Sequence, residues 1–286
     1  MITSGQNSKI KLVRSLLGRT KERHEANAFV VEGVRLVEEA ASRDWGFEIA
    51  LYDESLSERG KLLIERLRSN HVEIEQVSQS LMKSLSETET PQGILAVLKI
   101  SSLPIPQSLN FVLIPDQIRD PGNLGTLLRT AAATEVQAVL IPPETTDAFA
   151  PKVVRSGMGA HFRLPIHTMT WEEIRECLHA SHLPQRDKSN RRDSAVLSEK
   201  INPLGATQSL QVYLADMDGK SCWETDLREP LALIVGGEAE GASDEARNLA
   251  TQKISIPMSG NVESLNAGVA GSVLMFEVVR QRKTVG

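Results

Sequence analysis

The sequence predicts a two-part α/β fold: a smaller N-terminal α/β domain, then a mostly parallel sheet flanked by helices. Three observations support this. From residue 109 onward, short apolar stretches alternate with amphipathic ones, the pattern of parallel strands joined by helical crossovers. Just before that run, SSLPIPQS at 101–108 is rich in proline and serine and reads as a linker. The chain has 286 residues, 41% hydrophobic and 24% charged, enough to build two ordinary cores. The expected organisation is a first domain over 1–101, a linker over 102–108 and a second domain over 109–286.

In the first domain, KIKLVRSLL at 9–17 has helical spacing of apolar positions. AFVVEG at 28–33 is strand-like and ends on a glycine, and VRLVEEAA follows as a helix. A further helix is expected over 57–69, a half-buried strand at HVEIEQV, and a closing strand at GILAVLKI, 93–100. In the second domain NFVLIPD is a buried strand, followed by a glycine turn and a helix over 123–135. AVLIPP, FRLPIHT, QVYLADMD, LALIVGGE and KISIPM are the remaining strands. Helices are expected at FAPKVVRSGM, WEEIRECLHA, 244–250 and 263–282. The polar stretch 183–209, with its basic RDKSNRRD, reads as a long loop or insertion.

Composition narrows the function. The apolar runs, such as LALIV at 231–235, are too short to cross a membrane, and MITSGQNSKIKLV lacks a signal peptide's apolar core. A cytoplasmic protein with no membrane partner is expected. Cys177 and Cys222 stand far apart, without metal or redox spacing, and His179 with His182 reads as a helix end, so no metal is expected. A net charge of −5 argues against a protein that simply coats nucleic acid. Residues 1–35 are locally basic, however, with Lys9, Lys11, Arg14, Arg19, Lys21, Arg23 and Arg35 against Glu22, Glu25 and Glu32. That stretch is either a phosphate-binding face or a solvated amphipathic helix.

Three stretches carry candidate chemistry where strands should end. In IRDPGNLGTLLRTAAA, 118–133, Pro121 and Gly122 are expected to turn the chain, Asn123 to cap a helix and Arg129 to lie one to two turns along it. This is either a plain strand–turn–helix or a helix terminus suited to an anion. IVGGEAEGAS, 234–243, sets Gly236, Gly237 and Gly241 after a buried strand with Glu238 among them, and matches neither GxGxxG nor a Walker loop. In SIPMSGNVESLNAGVAGSVLMFEVV, 255–279, Ser264 and Asn266 stand at a helix start. Ala267, Gly268, Ala270, Gly271 and Ser272 then permit close packing against another backbone, in the same chain or a second copy.

Together these stretches resemble the three signature motifs of the SpoU/TrmH RNA ribose 2′-O-methyltransferases, of the SPOUT superfamily, over roughly 109–286. SKIKLVRSLL, FVVEGVRLVEEA and QGILAVL resemble the family's substrate-binding domain, itself similar to small ribosomal RNA-binding proteins of α/β/α build. The resemblance implies S-adenosylmethionine as methyl donor and RNA as substrate, ribosomal RNA favoured and transfer RNA possible. It also implies a homodimer and a C-terminal trefoil knot, which ordinary folding rules would not suggest. By motif, Asn123, Arg129, Glu238, Ser264 and Asn266 would be catalytic. Backbone at Gly236, Ile256 and Leu265 would hold the donor's adenosine with Met258 beside it, and Lys9, Arg14 and Arg35 would contact RNA. One departure is visible: the family's Ser-Leu-Asn-Val-Ser-Val-Ala is SLNAGVA here, and a glycine at a helix start costs about 1 kcal/mol relative to alanine.

The implied reaction is an in-line displacement at an activated methyl, so the protein's task is positioning and making the hydroxyl nucleophilic. Arg129 is either the base or, since guanidinium stays protonated, the group that stabilises developing negative charge. Glu238 either orients Arg129 or accepts a proton. The other class of function compatible with these residues is an RNA-binding or ribosome-assembly factor that lacks catalysis.

Overall fold

The structure, a computed structural model, describes residues 1–88, 90–180, 210–238, 241–260 and 264–283. The expected insertion at 183–209, and His182, lie outside the described residues.

The N-terminal part is a four-stranded sheet in the order β1-β4-β2-β3. Its strands are β1 (Ala28–Glu32), β2 (Phe47–Tyr52), β3 (Ile74–Gln76) and β4 (Ile94–Lys99); β4 is antiparallel to β1 and β2, and β2 is parallel to β3. One face carries α1 (Ser8–Gly18) and α5 (Gln79–Leu85), whose Ile10, Val13, Leu16, Leu81 and Met82 pack on Val30, Ile49 and Val97. The other face carries α3 (Val34–Ser42) and α4 (Glu58–Ser69). Strand alternation sends Val30 to one layer and Phe29 and Val31 to the other. Three elements were not anticipated: α2 (Thr20–Ala26), β2 and α5. Both helices are only 7 residues long, too short for an apolar period to show, and α2 has no side-chain cap.

The C-terminal part is a six-stranded sheet in the order β10-β8-β9-β5-β6-β7, with every pairing parallel. Its strands are β5 (Phe111–Pro115), β6 (Ala138–Ile141), β7 (Ile166–Thr168), β8 (Gln211–Ser221), β9 (Leu231–Val235) and β10 (Gln252–Ser255). Buried on both faces, β5, β6 and β9 are apolar throughout, as parallel strands require. α8 (Trp171–Ala180) and α9 (Asp244–Leu249) cover one face; α6 (Pro121–Ala133), α7 (Pro151–Gly157) and α10 (Ala267–Lys283) cover the other.

Among the boundaries that differ from expectation, two helix starts bear on the site. α6 begins at Pro121, not 123, because Asp120 is the cap: its Oδ1 accepts from the Asn123 N–H at 2.9 Å, and proline is tolerated at the first helical position. Pro121 and Gly122 are thus the first helical turn rather than a turn before it, and Asn123 is not the cap. α10 begins at Ala267, not 263, and Asn266 caps it, its Oδ1 accepting from Val269 N–H at 3.2 Å.

The two parts share one hydrophobic core. Phe29 of β1 packs its ring 4.9 Å from Phe149, and Trp45 meets Phe162 edge-on at 5.2 Å. Beside these rings Arg23 of α2 and Asp147 form a buried ion pair at 2.7 Å, with Arg23 also donating to Leu16 O and Thr20 Oγ1. The 102–108 segment is docked as well: His167 hydrogen-bonds Leu103 O at 2.9 Å, and the Ser102 hydroxyl donates to Ile166 O at 3.2 Å.

His161 is buried at this seam, its ring 5.6 Å from Phe149 and its Nε2–H donating to Ala148 O at 2.7 Å. Nδ1 has no partner among the described residues, and burial pushes the imidazole down to about 4 from 6.5. Between those values the unfolded chain binds a proton that the folded chain refuses. The stabilisation is therefore complete above pH 6.5 and is lost as pH falls toward 4, by about 3 kcal/mol for a shift of this size. Urea unfolding across this range is expected to show stability falling toward acid, with His161→Gln reducing the loss.

Candidate active site

The loops that follow β5, β9 and β10 lie at the C-terminal edge of the parallel sheet, where sites in such folds gather. There the three motif segments meet on one side chain. Glu238 Oε1 accepts from Asn123 Nδ2 at 2.5 Å, from Asn266 Nδ2 at 2.8 Å and from the Ala267 N–H at 3.3 Å. Asn266 Nδ2 also donates to Asn123 Oδ1 at 2.9 Å. Because Asp120 takes the capping role, Asn123 at the third helical position is free to project its amide into this cluster. Asp120 is kept ionised by the same bond, the Asn123 N–H holding its carboxyl below the usual range.

Backbone contact positions the motif-two loop. A β-carbon on Gly237 would lie 2.3 Å from Gln117 O, and one on Gly236 would lie 2.8 Å from Ala242 N, so both approaches need glycine. Asp116, fully buried at the end of β5, accepts the Ser243 N–H at 2.6 Å and ties down the loop's far end. Burial pushes its carboxyl up, and its Oδ1 has no partner among the described residues.

α10 lies directly on α6. A β-carbon on Gly268 would sit 3.3 Å from Thr126 Cβ and 3.4 Å from Asn123 Cα, and one on Gly271 only 2.4 Å from Leu127 Cδ2. The Thr130 and Ser272 hydroxyls are hydrogen-bonded at 2.8 Å between the same helices. The SLNAGVA departure thus sits at a close helix contact, which glycine permits.

Two cavities flank Glu238. The larger, about 290 Å³, is lined by Gly236, Ile256, Met258, Ser264 and Leu265, all anticipated from sequence, and also by Asp216 and Arg247. The smaller, about 90 Å³, is lined by Gln117, Ile118, Arg119, Asp120 and Asn123; Gly237, Glu238 and Ala267 line both. Asp216 and the Arg119 side of the smaller cleft were missed. Asp216 had a readable signal, an acid directly after the apolar run VYLA in a parallel strand.

Other sequence candidates stand apart. Arg129 lines neither cavity; it is exposed on α6 and makes no hydrogen bond or ion pair with the described residues, Glu238 included. In the N-terminal domain Lys9 is ion-paired to Glu73 and Glu75, Arg14 donates to Gly5 O and Ser84 Oγ, and Arg35 is exposed and without such a partner among the described residues. Among the described residues no three His, Cys, Asp or Glu side chains gather as a metal site.

Two cavities that share Gly237, Glu238 and Ala267 as a common wall, at the C-terminal edge of a parallel sheet, define an α/β ligand-binding site. Comparison with known proteins makes the class specific. Residues 110–192 and 186–276 match the SpoU rRNA Methylase family, and 7–96 match the MRM3-like substrate binding domain. The chain is 32% identical to the 23S rRNA (guanosine(2553)-2′-O)-methyltransferase RlmP of Bacillus subtilis over 97% of this chain and 98% of that one. It is 31% identical to rRNA methyltransferase 3, mitochondrial, of Mus musculus, covering 91% and 69%. The structure of the SpoU methyltransferase AviRb from Streptomyces viridochromogenes with the cofactor AdoMet superposes with a TM-score of 0.79 at 26% identity, covering 97% and 100%. The chain belongs to the SpoU rRNA methylase family.

Asn266 has two separable duties, capping α10 through Oδ1 and bridging Glu238 and Asn123 through Nδ2. Asn266→Ser keeps a cap oxygen and removes the bridge. It is expected to leave the melting temperature nearly unchanged while lowering methyl transfer, whereas Asn266→Ala is expected to lose about 1 kcal/mol of stability as well. Thermal melts beside a transfer assay check the split.

Proposed function

We propose that this protein transfers a methyl group from S-adenosylmethionine to a ribose 2′-hydroxyl in RNA, with ribosomal RNA the favoured substrate. The observation that carries this is the shared wall: Glu238, held by Asn123 and Asn266, separates a cavity framed by Gly236, Ile256, Met258 and Leu265 from a small cleft beside the α6 N-terminus. Relatives named for ribosomal RNA 2′-O-methylation in Bacillus subtilis and Streptomyces viridochromogenes match along nearly the whole chain.

The larger cavity suits the donor in chemistry. Its volume is near the lower end of small-molecule sites, and it combines apolar side chains with glycine backbone where no β-carbon would fit. Backbone at Gly236, Ile256 and Leu265, with the Met258 side chain and Ser264, would hold the nucleoside. S-adenosylmethionine would supply an already activated methyl group. The smaller cleft would take the target ribose. Glu238 Oε1 is occupied by three N–H donors, while Oε2 makes no hydrogen bond with the described residues and can accept the hydroxyl proton. Arg129, always charged, would hold phosphate and stabilise charge growing on the ribose oxygen rather than act as base.

The exposed position of Arg129 suits a site completed in a homodimer. Beside it, on the helix packed against α6, Val269, Val273 and Phe276 form an apolar stripe at spacings of four and three, exposed by 48%, 39% and 54%. The trefoil knot belongs to the same reading. After β10 at the sheet's edge the chain returns to lay α10 on α6 and β9 in the sheet's interior. Arg14 and Arg35, and Lys9 to the extent that Glu73 and Glu75 release it, are the proposed RNA contacts of the N-terminal domain.

Methyl transfer from labelled donor to RNA of cells lacking the protein is expected to label a ribose 2′-oxygen. Arg129→Ala is expected to bind donor normally while transfer falls about a hundredfold or more. Donor binding without transfer to any RNA would favour the non-catalytic RNA-binding factor. Separately, Phe276→Asp is expected to convert a dimer to monomer by light scattering, with activity lost in parallel.

A further inference from the structure

The parallel ladder beside the larger cavity is interrupted at one place. Tyr213 and Leu214 pair with Gln252 and Lys253, but the next residue of β10, Ile254, pairs with Lys220. Residues 215–219 are therefore looped out of the β10 ladder, and pairing with β9 ends at Ala215. The re-entry is tight. A β-carbon on Gly219 would lie 2.5 Å from Ile254 N, and Gly219 O accepts the Ser255 hydroxyl at 2.8 Å. Interruptions of this kind next to a site re-aim a side chain.

The side chain re-aimed here is Asp216, which lines the larger cavity with Gly236 and Ile256. Its Oδ2 accepts from Lys253 Nζ at 2.8 Å and Arg247 Nη1 at 3.4 Å, and its Oδ1 from the Asp218 N–H at 3.1 Å. The Lys253 bond holds the carboxyl below the usual range, so it is ionised; Oδ1 keeps one lone pair open, and at Oδ2 the second place is held only by the long Arg247 bond. Glu238, Arg247, Ser255 and Ser264 are the other polar side chains of a lining that is mainly apolar side chains and glycine backbone, and an ionised acceptor at the wall across from the glycines suits a ligand with donors to offer. A ribose offers two adjacent hydroxyls, one for the open place on Oδ1 and one able to displace the long Arg247 bond at Oδ2, and an acid placed beyond a strand serves this purpose in dinucleotide-binding sheets.

We propose that Asp216, presented by the interruption of β8, accepts hydrogen bonds from the ribose hydroxyls of the donor's adenosine, with Lys253 and Arg247 as positioning residues. This rests on the reading of the larger cavity as the donor site.

The test is calorimetric titration of the full chain and its Asp216→Ala and Asp216→Asn variants with S-adenosylhomocysteine and with its 2′-deoxy, 3′-deoxy and 6-deamino analogues. The unmodified protein is expected to bind the deoxy analogues about tenfold or more weakly than the parent compound. Asp216→Ala is expected to bind the parent compound about ten- to a hundredfold more weakly and no longer to distinguish the deoxy analogues from it. Asp216→Asn, nearly the same shape, is expected to fall between the two and guards against a misfolded alanine variant. Undiminished discrimination of the deoxy analogues in both variants would overturn the inference. So would a loss of discrimination confined to the 6-deamino analogue. If the unmodified protein binds none of these compounds, the reading of the cavity falls first and takes this inference with it.

Discussion

One carboxylate oxygen, Glu238 Oε1, holds together segments that enter the site from three directions. Its donors come from the first turn of α6, from the residue capping α10 and from the first N–H of α10 itself. Hydrogen bonds to an ionised acceptor are stronger than neutral ones. Glu238 is exposed, so their net contribution to stability is modest and their main effect is geometric. They set the wall between the two cavities, and with it the separation between whatever each cavity holds. A transfer reaction depends on that separation more than on any single binding contact.

That arrangement requires backbones to come closer than side chains normally allow. Gly237 lies against the carbonyl of Gln117, Gly268 against the first turn of α6, and Gly271 against Leu127. The glycine that looked like a helix-weakening departure in SLNAGVA lies where α10 passes beside Asn123. Its propensity cost is local, and its benefit is the approach that lets Asn266 reach Asn123. The interruption of β8 follows the same logic at the opposite wall, where Gly219 restores the ladder after Asp216 has been turned toward the cavity.

The N-terminal domain is fixed to this machinery rather than tethered to it. Phe29, Trp45, Phe149 and Phe162 form a common core, the Arg23–Asp147 pair is buried among them, and the 102–108 segment runs against β7. A buried pair adds little net stability but strongly disfavours any separation that would leave one charge alone. The backbone of the first domain therefore keeps a set position against the C-terminal sheet and its helices.

Much of this was legible in the sequence. The alternation after residue 109 specifies a parallel sheet because strands buried on both faces must be apolar and crossovers must be amphipathic helices. Gly236, Glu238, Ser264 and Asn266 could be picked out because residues that follow apolar strands or open helices fall at one edge of such a sheet, whereas Ile256, Met258 and Leu265 came only from the resemblance to the family's motifs. The short helices α2 and α5 left too few residues for a period to show. The cap of α6 was misassigned because Asp-Pro-Gly-Asn is locally as good a turn as a helix start. What only the tertiary structure decided are relations between distant segments. These are the meeting of Asn123, Glu238 and Asn266 on one oxygen, the projection of Arg129 away from its own chain's cavities, the pairing of Lys9 with Glu73 and Glu75, and the register jump that turns Asp216 inward. Each depends on distances across the sheet and between helices, set by packing and ladder register, and no local pattern of residue types encodes them.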